Sequence, residues 1–155
     1  MAGEFLETTA DKFIFKVKKG ILYSQEDCWV EMKKDGKAVI GITDFLQRLA
    51  GDAVFAETRE VGTPLKQGKP MGNLETIKLN LELIAPLSGV IEKVNETLAD
   101  KPELINEDPF GQGWIYQVKG EKIEEEVKSL FSDEAYFELM KEKIEEELDK
   151  IGGKE

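Results

Sequence analysis

The stretch Gly72–Gly89, "GNLETIKLNLELIAPLSG", decides how the rest of the chain is read. Ile77, Leu79, Leu81 and Leu83 alternate with the period of two of a half-buried strand, and Lys78 and Asn80 fall between them. Ala85-Pro86 then breaks the ladder. Lys78 is therefore either solvent-facing filler in a strand pair or a chemical attachment point. Spacing alone does not choose between them.

Upstream of this stretch, "FIFKV" (13–17) places Phe13, Phe15 and Val17 on one side of a predicted strand. "CWVEMKKDGKAVIGIT" (28–43) predicts a hairpin, with Asp35-Gly36 able to take the positive φ angles of a tight turn. "TDFLQRLAGD" (43–52) predicts a short helix with Thr43 as N-cap, Asp44 in the first turn and Gly51 as its stop. "AVFAETREV" (53–61) returns to strand, with Val54 and Ala56 alternating. From Val61 to Val94, Gly and Pro punctuate the chain so closely that a sandwich or barrel of short strands is expected.

Downstream, "WIYQV" (114–118) predicts a last strand and the remainder a helical tail. Ile123, Val127, Leu130 and Phe131 recur at helical spacing. In the next helix Ser132 can cap, and Phe137, Met140, Ile144, Leu148 and Ile151 form the apolar stripe. The expected architecture is mainly β (α+β), a barrel-sandwich of short strands with a small internal helix and a helical C-terminal tail. One domain over 1–155 is expected, with a core at about 13–120 and helices at about 121–151.

The 155 residues are 41% hydrophobic and 34% charged, a soluble globular composition. No apolar run is long enough to span a bilayer, and "MAGEFLETTADKF" lacks the basic flank and apolar core of a secretory signal. A cytoplasmic location without membrane association is expected. With 21 basic and 32 acidic residues the net charge is −11, which argues against nucleic acid as a partner. Residues 121–150 hold 12 acidic and 5 basic side chains, a solvated helix face by default.

The chain has no histidine and one cysteine, Cys28. It can supply neither a Ser-His or Cys-His catalytic pair nor a histidine or cysteine-cluster metal site. Cys28, beside Trp29 in a predicted strand, reads as a small buried hydrophobe, and Trp29 and Trp114 read as core. Chemistry carried by such a chain comes from an attached group or a partner.

"GITDFLQ" (41–47), "GDAVFAE" (51–57), "VGTPLKQGKPMGNLETIK" (61–78), "APLSGVIEKVNETL" (85–98), "PELINEDPFGQGW" (102–114) and "AYFELM" (135–140) resemble, in order and spacing, the glycine cleavage H proteins and their lipoyl-carrier relatives. In that family the lysine of an E-S-V-K-like motif, eight residues before the proline of P-x-S-G, carries lipoate in amide linkage. Glu75-Thr76-Ile77-Lys78 and Pro86-Leu87-Ser88-Gly89 stand here at that separation. The resemblance implies a lipoyl-domain sandwich with lipoate on Lys78 at a hairpin tip, and Glu75 as a residue read by the lipoate-attaching enzyme. Biotinyl domains usually flank their lysine with methionines, whereas Ile77 and Leu79 flank Lys78.

The implied function is a non-catalytic carrier in glycine catabolism. Its arm would shuttle the aminomethyl group among glycine decarboxylase, aminomethyltransferase and dihydrolipoyl dehydrogenase. The alternative is an H-like lipoate-binding protein that carries sulfur intermediates or electrons to a heterodisulfide-reductase-like sulfur-oxidation complex. Departures from the family motivate that alternative. Asp27-Cys28-Trp29-Val30 replaces H-E-W-V, whose histidine lies where the loaded arm is thought to rest, and Phe45 replaces the histidine of T-D-H-A-Q. Leu79 and Leu81, in place of small polar residues, are expected to enlarge an exposed apolar patch beside Lys78.

Overall fold

The computed structural model describes residues 3–152. The chain opens with a hairpin of β1 (Phe5–Ala10) and β2 (Phe13–Lys18), closed by the left-handed residues Asp11 and Lys12. The strands β3 (Leu22–Tyr23), β4 (Cys28–Met32) and β5 (Lys37–Ile42) follow, then helix α1 (Asp44–Ala50) and strand β6 (Ala53–Thr58). Next come β7 (Pro64–Leu65), β8 (Pro70–Thr76), β9 (Asn80–Ile84) and β10 (Gly89–Val94). Two single-turn helices, α2 (Thr97–Asp100) and α3 (Leu104–Glu107), lead to β11 (Tyr116–Gly120), and α4 (Ile123–Glu126) and α5 (Asp133–Gly152) complete the chain.

Every strand pairing is antiparallel. One sheet runs β3-β4-β5-β11-β10-β7 and a second runs β6-β8-β9. Val30, Ile40, Ile42, Met71, Leu74, Leu83, Leu87, Ile91 and Val118 form one apolar cluster drawn from both sheets. A second, largely aromatic cluster joins Phe15, Val17, Tyr23, Trp29, Phe45, Phe110, Tyr136 and Met140. It welds the β1–β2 hairpin, α1 and α5 onto the outside of the larger sheet. The rings of Tyr23 and Tyr136 stack at 4.5 Å and 9°.

The mainly β architecture expected from the sequence, with α1 inside it and helices at the end, is the one observed. Asp35 and Gly36 take φ of 61° and 72° in the tight turn between β4 and β5. Thr43 Oγ1 accepts from Leu46 N–H at 3.2 Å as the N-cap of α1, and Gly51 stops the helix with φ 90°. Ser132 Oγ accepts from Ala135 N–H at the start of α5.

Several expectations are corrected. Strand β1 is formed by a segment that gave no strand signal. Its partner β2 turns only Phe15 and Val17 inward; Phe13 is 48% exposed and lies under the Arg48 guanidinium, 5.0 Å from the ring centroid. In β6 a register shift between Ala53 and Phe55 leaves Val54 exposed and Ala56 half-buried. The helical tail is broken: a 3₁₀ turn at Val127–Ser129 follows α4, and Phe131 then forms a β-bridge with Tyr23. On α5, Tyr136, Met140 and Ile144 are buried while Leu148 is exposed, and the side chain of Ile151 lies outside the described residues. The last strand begins at Tyr116, and Trp114 is half-buried against the aromatic cluster, whereas Trp29 is fully buried.

Candidate functional site

The alternation that opens the reading of Gly72–Gly89 holds for Leu81 and Leu83 alone. Ile77-Lys78-Leu79 is the turn that joins β8 to β9, and Ile77 and Leu79 are 72% and 42% exposed. Lys78 is thus an exposed hairpin-tip residue. Leu81 pairs with Leu74 and packs against the core, so the exposed apolar side chains beside Lys78 are Ile77 and Leu79. Val54 and Phe55 on the neighbouring β6 are exposed as well.

The residues before the tip explain its shape. Thr76 is buried; its Oγ1 donates to Ala50 O at 2.6 Å and accepts from Lys78 N–H at 3.2 Å and Leu79 N–H at 3.1 Å. A hydroxyl placed so closes a local turn that a bare strand could not make. Ile77 N–H donates to Asp52 O at 3.0 Å, which ties the tip to the corner that links α1 to β6. Glu75 faces solvent on β8, opposite Phe55 on one side and Asn80 on the other.

Lys78 opens onto a cavity of about 300 Å³. Phe13 and Phe15 of β2, Phe45, Arg48 and Leu49 of α1, and Ile144 of α5 line much of its wall. Phe15 and Phe45, tilted 50° at 6.1 Å, give it apolar surface, and Asp11, Arg48 and Glu147 add charged groups to the same lining. A compact apolar ring system on the end of a lysyl chain fits such a groove chemically.

The two missing histidine positions behave differently. Phe45 lines this groove, but Asp27 is buried away from it with φ 68°. The Asp27 carboxylate accepts from Tyr136 O–H at 2.7 Å and from Lys143 Nζ at 2.9 Å. Lys143 also donates to Gln25 O, and Tyr136 O–H lies 3.0 Å from Thr43 Oγ1. Asp27 therefore anchors α5. Burial, then the Asp27 carboxylate, push the Tyr136 hydroxyl well above the ordinary tyrosine range.

Cys28 is fully enclosed, with its Sγ 3.5 Å from Ile84 O. Burial, then Asp27, raise its thiol far above the ordinary range, so it stays protonated at neutral pH. Among the described residues no group of three or more His, Cys, Asp or Glu could hold a metal ion. No described helix is long and apolar enough to cross a membrane.

Antiparallel strands wrapped round an apolar core, with a lysine raised on a hairpin tip, define a carrier domain of the barrel-sandwich type. The sequence profile described as "Glycine cleavage H-protein" matches residues 21–143. A probable glycine cleavage system H protein of Pyrococcus abyssi is 42% identical over 127 residues, 82% of this chain and 94% of that protein. The corresponding protein of Aeropyrum pernix is 40% identical over 145 residues, 94% of this chain and 100% of its own length. The glycine cleavage system H protein of Listeria monocytogenes is 45% identical over 123 residues, 79% of this chain and 96% of that one.

A crystal structure of a glycine cleavage system H protein from Mycobacterium marinum superposes with a TM-score of 0.68 at 33% identity, covering 75% of this chain and 92% of that one. The chain belongs to the glycine cleavage H-protein family, the lipoyl-carrying component of that system. None of these findings favours the sulfur-oxidation alternative.

Thr76 and Gly51 hold the tip in ways that local sequence pattern does not give. Thr76 carried a usable signal, a hydroxyl two residues before the lysine. Gly51 was read only as a helix stop, yet a Cβ there would stand 3.1 Å from Lys78 Cδ.

Proposed function

We propose that Lys78 carries lipoate in amide linkage and that the protein is the non-catalytic shuttle of a glycine cleavage system. The observation that carries this reading is the place of Lys78: exposed on a short turn, tied back on one side by Thr76 and on the other by Asp52. When bound at Lys78, lipoate would supply a dithiolane disulfide able to be reduced as it accepts the aminomethyl group and, once that group has been handed on, to be reoxidised by the dehydrogenase.

The protein's own part is mechanical and protective. The stiff root fixes where the arm leaves the surface, so its reach comes from the side chain and the attached acyl chain. One tethered group then meets each partner at high effective concentration. The groove of Phe13, Phe15, Phe45 and Leu49 offers the arm's apolar end a place out of water between visits. The partners on this reading are glycine decarboxylase, aminomethyltransferase, dihydrolipoyl dehydrogenase and a lipoate-attaching enzyme. Glu75, solvent-facing three residues before the lysine, is the side chain the attaching enzyme reads; Glu75→Gln should slow attachment without changing thermal stability.

Intact mass of the natively produced protein, before and after Lys78→Ala, tests the assignment. A lipoyl increment that disappears in the variant is expected, and an increment that persists would move the site elsewhere. Reconstitution of the lipoylated protein with the decarboxylase should restore exchange between glycine and labelled bicarbonate; no exchange would sink the glycine-cleavage role.

A further inference from the structure

Asn106 lies in α3, far along the chain from the tip, but its side chain reaches the corner beneath it. Asn106 Nδ2 donates to Gly51 O at 2.9 Å and to Gln47 Oε1 at 3.0 Å, and its Oδ1 accepts from Ala53 N–H at 2.8 Å. These bonds pin both ends of the Gly51–Ala53 corner. That corner in turn holds the tip: Asp52 O accepts from Ile77 N–H, and the preceding Ala50 O accepts from Thr76 Oγ1.

Gly51 is also the seat of the lysyl chain. With φ 90° it presents a bare Cα, and a Cβ built there would stand 3.1 Å from Lys78 Cδ, 3.3 Å from Cγ and 3.5 Å from Cε. The stem of Lys78 therefore lies along the Gly51 peptide, in the direction of the groove. The carbonyl of that peptide is the one Asn106 holds. A side-chain amide is suited to this, because it gives two donors and an acceptor in a fixed plane.

We propose that Asn106 is a positioning residue for the Lys78 arm. It acts through Gly51, setting the direction in which the arm leaves the protein, and its functional meaning rests on lipoate being carried at Lys78. Substituting Asn106 frees the corner, and the tip then spends part of its time in orientations the attaching enzyme does not accept. Apparent affinity falls by the competent fraction while the rate of the bound complex is unchanged.

The test compares Asn106→Ala with Asn95→Ala on the full-length unmodified protein. Asn95 is a buried asparagine of similar duty elsewhere, its Nδ2 donating to Gln112 O and Trp114 O. Hydrogen exchange should quicken about tenfold or more at Ile77 and Leu79 in Asn106→Ala, the scale of losing one or two buried hydrogen bonds. Asn95→Ala should leave those two amides as they are, although both variants melt earlier. For attachment of lipoate by the ligase, Asn106→Ala should raise KM and keep kcat.

Unchanged exchange at Ile77 and Leu79 would overturn the proposal, as would equal quickening in Asn95→Ala. Asn106→Asp, which keeps the acceptor for Ala53 N–H but loses the bond to Gly51 O, replaces the alanine variant should that one not fold. The exchange readout does not need lipoate, so failure of attachment in the unsubstituted protein counts against the carrier reading and not against Asn106.

Discussion

Raising the pH attacks a feature that the whole molecule shares: all three of its tyrosines and its one cysteine are buried. Desolvation by burial is the first cause in each case, and it pushes the hydroxyls of Tyr23, Tyr116 and Tyr136 and the thiol of Cys28 above their ordinary values. In the unfolded chain the thiol ionises near pH 8.5 and the phenols near pH 10. Above those values the unfolded chain has lost protons that the folded one retains, so stability is full below them and falls as pH rises.

Each group weakens folding by at most about tenfold per pH unit between its unfolded and folded values, so stability declines from about pH 8.5 and more steeply above about pH 10. The assay is tyrosinate absorbance followed in parallel with far-ultraviolet circular dichroism. Tyr23 and Tyr136 should form no tyrosinate before the dichroism changes, and Tyr116 should ionise above the ordinary phenol midpoint. Tyrosinate rising with an ordinary midpoint near pH 10 while the fold persists would refute the reasoning.

Two further perturbations probe the packing. Lys143→Met leaves the Asp27 carboxylate buried with Tyr136 as its remaining donor. A loss of about 2 kcal/mol, or roughly 4–8 °C in Tm, is expected, and Asp27→Asn in the same chain should recover part of it. Additive losses in that double variant would show that the pair is not coupled. Gly41→Ala places a Cβ 2.7 Å from the Trp29 indole. It should cost about 1–3 kcal/mol and alter Trp29 fluorescence, and a variant indistinguishable in both would contradict the close packing there.

What the sequence revealed follows the range of the forces involved. The β4–β5 turn, the caps of α1 and the start of α5 rest on bonds between residues a few positions apart, and each could be read locally. Strand β1 could not, since its exposed edge and half-buried residues give little alternation and it gains its place through Phe5 against Phe110 and the pairing with β2. Phe13 shares the face of Phe15 by periodicity, but it lines the open groove under the Arg48 guanidinium and stays 48% exposed.

At the candidate site, resemblance points to Lys78, while the alternation of leucines points to a strand where the chain turns. Thr76 closes that turn through the Lys78 and Leu79 amides, and it ties the turn to α1 by bonding to Ala50, a residue 26 positions away. The Asn106–Gly51 contact spans 55 positions and left no trace in local pattern. Asp27, at the place of the first missing histidine, is buried away from the groove and serves as the anchor of α5.

The burial of Cys28 has a practical reading. It is the chain's one sulfhydryl, and it is sealed in the core beside Ile84 with a raised pKa. Under native conditions a maleimide therefore finds nothing to label on the bare polypeptide. Any rapid uptake after mild reduction would come from the cargo alone, so a simple stoichiometric label would count loaded molecules in a mixed population.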